Sequence, residues 1–177
     1  KLEDNDIIVM EVSCQQLANM EEFKPHVALM TNLSEAHIDF FGSYEAYKNV
    51  KLKLFAKQTD EDIAIVNIEN NDVMNGVKDI LSDIKYFSSK REINGAYLKN
   101  NKLYYYDEEI MDRDVFLLKG NHNVENALGA LMIAKEVGVA NEDIISVLKT
   151  FSGVRHRLEV IDKVNGVDYY NDTEATN

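Results

Sequence analysis

The chain has 177 residues, 45% hydrophobic and 28% charged, a globular composition that excludes a disordered or collagen-like protein. Its 31 acidic and 19 basic residues leave a net charge of −12, which repels nucleic-acid backbones and anionic membranes. Cys14 is the only cysteine, so no internal disulfide forms and a reducing, cytoplasmic setting is expected, while no apolar run reaches the roughly 20 residues of a membrane-spanning helix.

The opening Lys1-Leu-Glu-Asp lacks an initiator Met and the apolar core of a signal peptide, and no closing element ends the chain, so a fragment is expected. Residues 7–10 (Ile-Ile-Val-Met) form the short apolar run of a buried parallel strand, followed by a brief polar helix. Pro25 leads into a second strand over 26–31. Ser43 is a plausible cap for a helix over 44–57, where Tyr47, Val50, Leu54 and Phe55 recur at helical spacing. A third strand is predicted over 62–67, a helix over 73–84, and a strand around Tyr86-Phe87.

Residues 95–98 and 103–106 flank Asn100-Asn101 and predict a β-hairpin. Val124, Leu128, Leu131 and Met132 mark an amphipathic helix, and Ile144, Val147 and Leu148 mark another. Residues 157–163 and 167–171 flank Asn165-Gly166, a second hairpin. Strands alternating with helices indicate an α/β fold with a largely parallel sheet flanked by helices. The change from paired helices to a hairpin near Gly153 places a boundary between a domain over 1–153 and a second beginning at 154–177.

Ligands of open α/β sheets bind beyond the carboxyl ends of the strands. Glu11 and Ser13 follow the first predicted strand, and Asn32 and His37 follow the second. A carboxylate and an imidazole converging there would suit a divalent metal completed by water and phosphate, or each would simply be satisfied by backbone. On its helix Lys51 lies beside Tyr47, Leu54 and Phe55, whereas Lys48, Lys53 and Lys57 read as solvated lysines. Asn123 and Asn126 share a helix face in Gly120-Asn-His-Asn-Val-Glu-Asn126. They either cap the helix or offer amides matched to an adenine edge.

In this order the segments resemble the Mur ligase family. Glu11-Val-Ser-Cys-Gln-Gln-Leu17 is similar to its E-V-S-S-F-Q-L, and Thr31-Asn-Leu-Ser-Glu-Ala-His-Ile-Asp39 to its T-N-L-x-x-D-H-x-D. Tyr47-Lys-Asn-Val-Lys51 resembles Y-x-x-x-K, and His122-Asn-Val-Glu-Asn126 resembles H-N-x-x-N. His156-Arg157 with Asn171-Asp172 resembles the H-R and N-D-S-K-A-T-N segments of the D-glutamate-adding branch.

The resemblance implies a cytoplasmic, monomeric, ATP-dependent amide ligase of cell-wall precursor synthesis. It would join D-glutamate to UDP-N-acetylmuramoyl-L-alanine through an acyl phosphate. It implies Mg²⁺ held by Glu11 and His37, with Lys51 carbamylated and metal-binding, and a catalytic role for Lys51 and His37. Asn123, Asn126, Arg157 and Asp172 would hold ATP, Ser13 and Gln16 would face the muramoyl substrate, and Thr176 would face D-glutamate. The chain departs from the family at Ala36 for Asp, Cys14-Gln15 for Ser-Phe, and Glu174 for Lys. It also has no G-x-x-x-x-G-K-[ST] loop, which the family places upstream, so the fragment alone is expected to be inactive. Another Mur or folylpolyglutamate-type amide ligase, and a non-catalytic α/β interaction module, are the alternatives.

Overall fold

In a computed structural model, residue 3 and residues 6–174 are described, and the chain divides into two compact units, 1–88 and 89–177. The first is built on three parallel strands, β1 (Val27–Met30), β2 (Ile63–Asn67) and β3 (Asp83–Ser88), with β2 central. Its helices are α1 (Cys14–Asn19), α2 (Ile38–Phe41), α3 (Tyr44–Leu52), closed by a 3₁₀ turn over 53–55, and α4 (Asn71–Gly76). Ala64, Ile65 and Val66 of β2 are fully buried, which explains why that strand reads as an uninterrupted apolar run. One core joins Cys14, Ala28, Met30, Leu33, Tyr47, Phe55, Ala64, Val66, Val73 and Val77, so α1, β1, α3, β2 and α4 share a single apolar interior.

The second unit carries an antiparallel meander of β4 (Gly95–Lys99), β5 (Lys102–Tyr105) and β6 (Glu108–Asp112). Helix α5 (Asn121–Glu136) packs on β4 and β5, and α6 (Asn141–Thr150) packs on β6 and α5. Val124, Ala127, Leu128, Leu131 and Met132 form the buried face of α5. A separate two-stranded ribbon pairs β7 (Glu159–Val164) with β8 (Val167–Asn171). Both hairpin turns have left-handed residues at their centres, Asn100 and Asn101 in one and Asn165 and Gly166 in the other. Asparagine and glycine tolerate that conformation, which matches the strand twist.

Two predicted elements differ. Residues 7–10 make no strand: Ile7, Ile8, Val9 and Met10 are all more than half exposed, and β1 pairs only with β2 among the described residues. An apolar run becomes a strand only where a ladder partner satisfies its N–H and C=O groups. The helix expected over 73–84 stops at Gly76, where Asn75-Gly76 is a poor helix continuation, and residues from Asp83 onward pair with β2 instead.

The edge of this sheet that lies at the strand starts is closed by a polar cluster. Gln58 donates to the Pro25 and Ile63 carbonyls and accepts from Ser82, and the buried Asp62 carboxylate accepts from the Thr59 N–H at 2.7 Å. Lys24 lies 2.9 Å and His26 3.2 Å from Asp62. Lys24 first, then the Thr59 amide and His26, hold this carboxyl well below the usual carboxylate range. A depressed folded value means that its stabilisation is complete above the unfolded value of about 3.9 and is lost as pH falls below it. Asp62→Asn is therefore expected to melt at a lower temperature near neutral pH, with the gap narrowing as the solution is acidified. Melting curves across pH test this, and a gap that does not change with pH would show that the charge contributes nothing.

Candidate functional site

The carboxyl ends of the parallel strands lie side by side, since Met30 is level with Val66 and Asn67 with Phe87. From β1 the chain continues through Thr31-Asn-Leu33, whose Leu33 is buried, to His37 at the start of α2. His37 is exposed and has a left-handed backbone, φ 51° and ψ 32°, which is uncommon away from glycine and marks a place where the chain holds strain. Its ring faces Tyr47 with centroids 6.1 Å apart, and Tyr47 also meets Phe41 and Tyr44. The α2–α3 corner is thus an aromatic cluster that carries the imidazole on its outer side.

Helix α3 begins at Ser43, whose hydroxyl accepts from the Ala46 N–H at 3.1 Å, the expected cap. Lys51 sits in its last turn, half-buried, one turn from buried Tyr47 and from Phe55. Lys48, expected to be merely solvated, instead reaches Glu45 at 2.7 Å and Asp72 at 3.7 Å. Lys53 donates to the Ala18 carbonyl. Burial, then the bond to Asp72, pushes the Tyr44 phenol up to about 12, so it stays a hydrogen-bond donor at ordinary pH.

Ser13 and Gln16 are brought together, but by each other. The Ser13 hydroxyl accepts from the Gln16 N–H at 3.2 Å and the Gln16 amide oxygen accepts from the Ser13 N–H at 2.8 Å. This is a capping box that starts α1, and its S-x-x-Q spacing is the signal for it in the sequence. Glu11 just before it is exposed, in irregular chain.

Among the described residues, no three His, Cys, Asp or Glu side chains cluster to hold a metal. Glu11 and His37 take part in no side-chain hydrogen bond or ion pair among those residues, which leaves a carboxylate and an imidazole available as donors. The carboxylate suits a hard cation that fills its remaining positions with water and phosphate oxygens, as Mg²⁺ does, and the imidazole is a less usual partner for such an ion.

In the second unit, Asn123 and Asn126 lie on the first two turns of α5. Asn123 donates to the Lys119 carbonyl at 2.7 Å, which leaves its amide oxygen unused by that bond, and Asn126 is exposed. The helix starts at Gly120, with φ 89° and ψ 150°, a conformation essentially confined to glycine. A Cβ there would lie 2.6 Å from the His122 ring, so the imidazole rests directly over the glycine. Gly120→Ala is expected to destabilise by about 1–3 kcal/mol, mostly from backbone strain because the ring can turn aside. Denaturant titration reads the cost, and a change under a few tenths of a kcal/mol would contradict it.

The ribbon end of the same unit gathers the remaining candidates. Asp172 accepts from the Leu158 N–H at 3.0 Å, the Asn171 amide and the His156 ring nitrogen are 2.8 Å apart, and the Glu174 N–H donates to the His156 carbonyl. Asp172 thus pins the 154–158 turn, and Arg157 is exposed beside it. Thr176 lies outside the described residues.

Comparison with solved structures identifies the architecture. A crystal structure of MurF from Acinetobacter baumannii superposes with a TM-score of 0.69 at 24% identity, covering 84% of this chain and 34% of that one. MurF ligase from Thermotoga maritima, in complex with ADP, gives a TM-score of 0.63 at 19% identity, covering 84% of this chain and 35% of that one. The Mur ligase middle domain model matches residues 1–134, so the chain belongs to the Mur ligase family. The UDP-N-acetylmuramoylalanine–D-glutamate ligase of Macrococcus caseolyticus is 42% identical over 173 residues, 98% of this chain. The chain spans 39% of the length of that relative. No helix among the described residues is long and apolar enough to cross a membrane.

Proposed function

We propose that the full-length protein is the ATP-dependent ligase that joins D-glutamate to UDP-N-acetylmuramoyl-L-alanine in peptidoglycan precursor synthesis. The observation that carries this is the 42% identity, over 98% of the chain, to a relative bearing that name. Residues 1–153 belong to its central ATP-binding domain and 154–177 begin the next. It works as a monomer in the cytoplasm, on small molecules.

The reaction needs the substrate carboxylate to take the γ-phosphoryl group of ATP, releasing ADP. The D-glutamate nitrogen then attacks the acyl carbon, loses a proton, and expels phosphate to leave an amide. Glu11 and His37 would hold Mg²⁺, with Lys51 as a carbamate offering a further oxygen ligand. When bound, the ion offsets the phosphate charge that a chain of net charge −12 would otherwise repel. The aromatic corner at Tyr47 fixes the side on which the His37 ring is presented, and half-buried Lys51 lies one turn along α3 from the same Tyr47. Asn123 and Asn126 grip adenine from the start of α5, a role supported by the free amide oxygen of Asn123, and Arg157 and Asp172 meet the nucleotide. Ser13 and Gln16 present the muramoyl substrate from their capping box, and Thr176 contacts D-glutamate.

Phosphate release from ATP by the full-length protein tests this reading, with each acceptor omitted in turn and Glu174→Lys run in parallel. Release that needs both UDP-N-acetylmuramoyl-L-alanine and D-glutamate supports it. Release only after Glu174→Lys makes that residue an inactivating departure. Folded protein that releases none in either sample favours the non-catalytic module, to which Ala36 and Glu174 point.

A further inference from the structure

The start of α4 touches two of the three segments that carry the proposed metal ligands, the His37 loop and the Lys51 helix, and nothing in the motifs accounts for it. Asn70 follows β2, which ends at Asn67, and is the N-cap residue of α4. Its amide nitrogen donates to the Leu33 carbonyl at 2.9 Å, across 37 residues of sequence. Its amide oxygen accepts from the Val73 N–H at 3.0 Å and so caps α4. The loop leading to His37 is thereby held twice, through the buried Leu33 side chain and through its carbonyl. Two residues on, Asp72 accepts from the Tyr44 hydroxyl at 2.7 Å and lies 3.7 Å from Lys48. Tyr44, Lys48 and Lys51 are four and three residues apart on α3 and share a face of that helix.

We propose that Asn70 and Asp72 are positioning residues that lock the His37 loop and the Lys51 helix to the end of β2, and so fix where magnesium and its phosphates are held. The proposal rests on the roles given to His37 and Lys51 above. Its physical basis is that ligands supplied by separate segments bind an ion tightly only if those segments are held in place beforehand. Leu33 and Tyr47 anchor the loop and α3 in the core, and the polar contacts of Asn70 and Asp72 add direction to that packing by fixing the loop backbone and the Tyr44–Lys48 side of the helix. The uncharged Tyr44 phenol and the Lys48 ammonium give Asp72 two donors on α3, while Asn70 gives the loop one.

Substitutions separate positioning from mere support. Asn70→Asp keeps an oxygen to cap α4 but removes the donor to the Leu33 carbonyl. Asp72→Ala removes both contacts to α3, whereas Asp72→Asn keeps an acceptor for Tyr44. In the full-length protein, Asn70→Asp is expected to raise amide hydrogen exchange over residues 33–37, and Asp72→Ala over residues 44–52. Each is expected to raise the Mg²⁺ concentration for half-maximal phosphate release roughly tenfold, with kcat at saturating Mg²⁺ nearly unchanged. Asp72→Asn should recover most of the shift. Unchanged exchange in both variants overturns the proposal, as does a lowered melting temperature with an unshifted Mg²⁺ curve. If the parent protein shows no Mg²⁺-dependent release, the ligase reading fails, and the exchange measurement still decides whether the clamp exists.

Discussion

Lys51→Ala in the full-length protein is expected to lower amide-forming turnover by about a hundredfold to a thousandfold, the usual cost of removing a preorganised group that stabilises developing charge. Stability should barely change, because the residue is half-buried in the last turn of α3 and its loss leaves no buried partner. Lys51→Arg discriminates between two ways the residue could act. Arginine keeps the cation and the length but does not form the carbamate that a lysine amine makes with CO₂. Two equally inactive variants are expected if Lys51 acts as a metal-binding carbamate. An arginine variant keeping a tenth or more of the activity would show that Lys51 acts as a plain cation. Steady-state rates at saturating ATP and Mg²⁺ read the difference.

Phe55→Ala is expected to cost about 3–5 kcal/mol, the range for emptying a buried aromatic site. Phe55 is 2% exposed and lies in the core that α1, β1, α3, β2 and α4 share, so the vacated volume has several rigid walls and little freedom to collapse. A loss of that size is a large part of the 5–15 kcal/mol that holds a typical domain together. The thermal transition of the full-length protein should fall by on the order of 10 °C. Phe55 also ends the turn that follows Lys51, so activity should be lost at a lower temperature, together with the fold rather than ahead of it. A transition shifted by less than about 2 °C would mean that the core repacks around the vacancy.

The sequence made the buried strands and the hairpins legible for different reasons. β2 could be read because Ala64, Ile65 and Val66 are all inside, and a strand covered on both faces has no polar alternation to confuse it. The turns at Asn100-Asn101 and Asn165-Gly166 could be read because few residues accept two successive left-handed conformations. β6 was not foreseen. Its Glu108-Glu109 start is acid-rich, and only Ile110 and Met111 are buried, so its pairing with β5 decides what its composition does not. Residues 7–10 gave the opposite error: the apolar run was visible, and the ladder that would make it a strand is absent among the described residues.

For the candidate site, residue types were legible and their engagements were not. The left-handed backbone of His37 and the Lys48–Asp72 pair depend on backbone angles or on segments distant in sequence that no spacing encodes, whereas the capping box of Ser13 and Gln16 is written in its S-x-x-Q spacing. Asn70 shows the limit most clearly. In Asn67-Ile-Glu-Asn-Asn71 it reads as one turn-forming asparagine among three, and only the placement of the Leu33 carbonyl distinguishes it. Gly120 is intermediate. A glycine before an asparagine-rich helix start is a visible signal, but the His122 ring lying over it is not.

The most direct test is product identification. Full-length protein would be given ATP, Mg²⁺ and UDP-N-acetylmuramoyl-L-alanine with equal concentrations of D-glutamate, L-glutamate, L-alanine and L-lysine, and the coupled nucleotide would be identified by mass and by chiral analysis of its hydrolysate. The D-glutamyl product alone is expected. A product carrying any of the other three amino acids, or none from folded protein, would contradict the assignment.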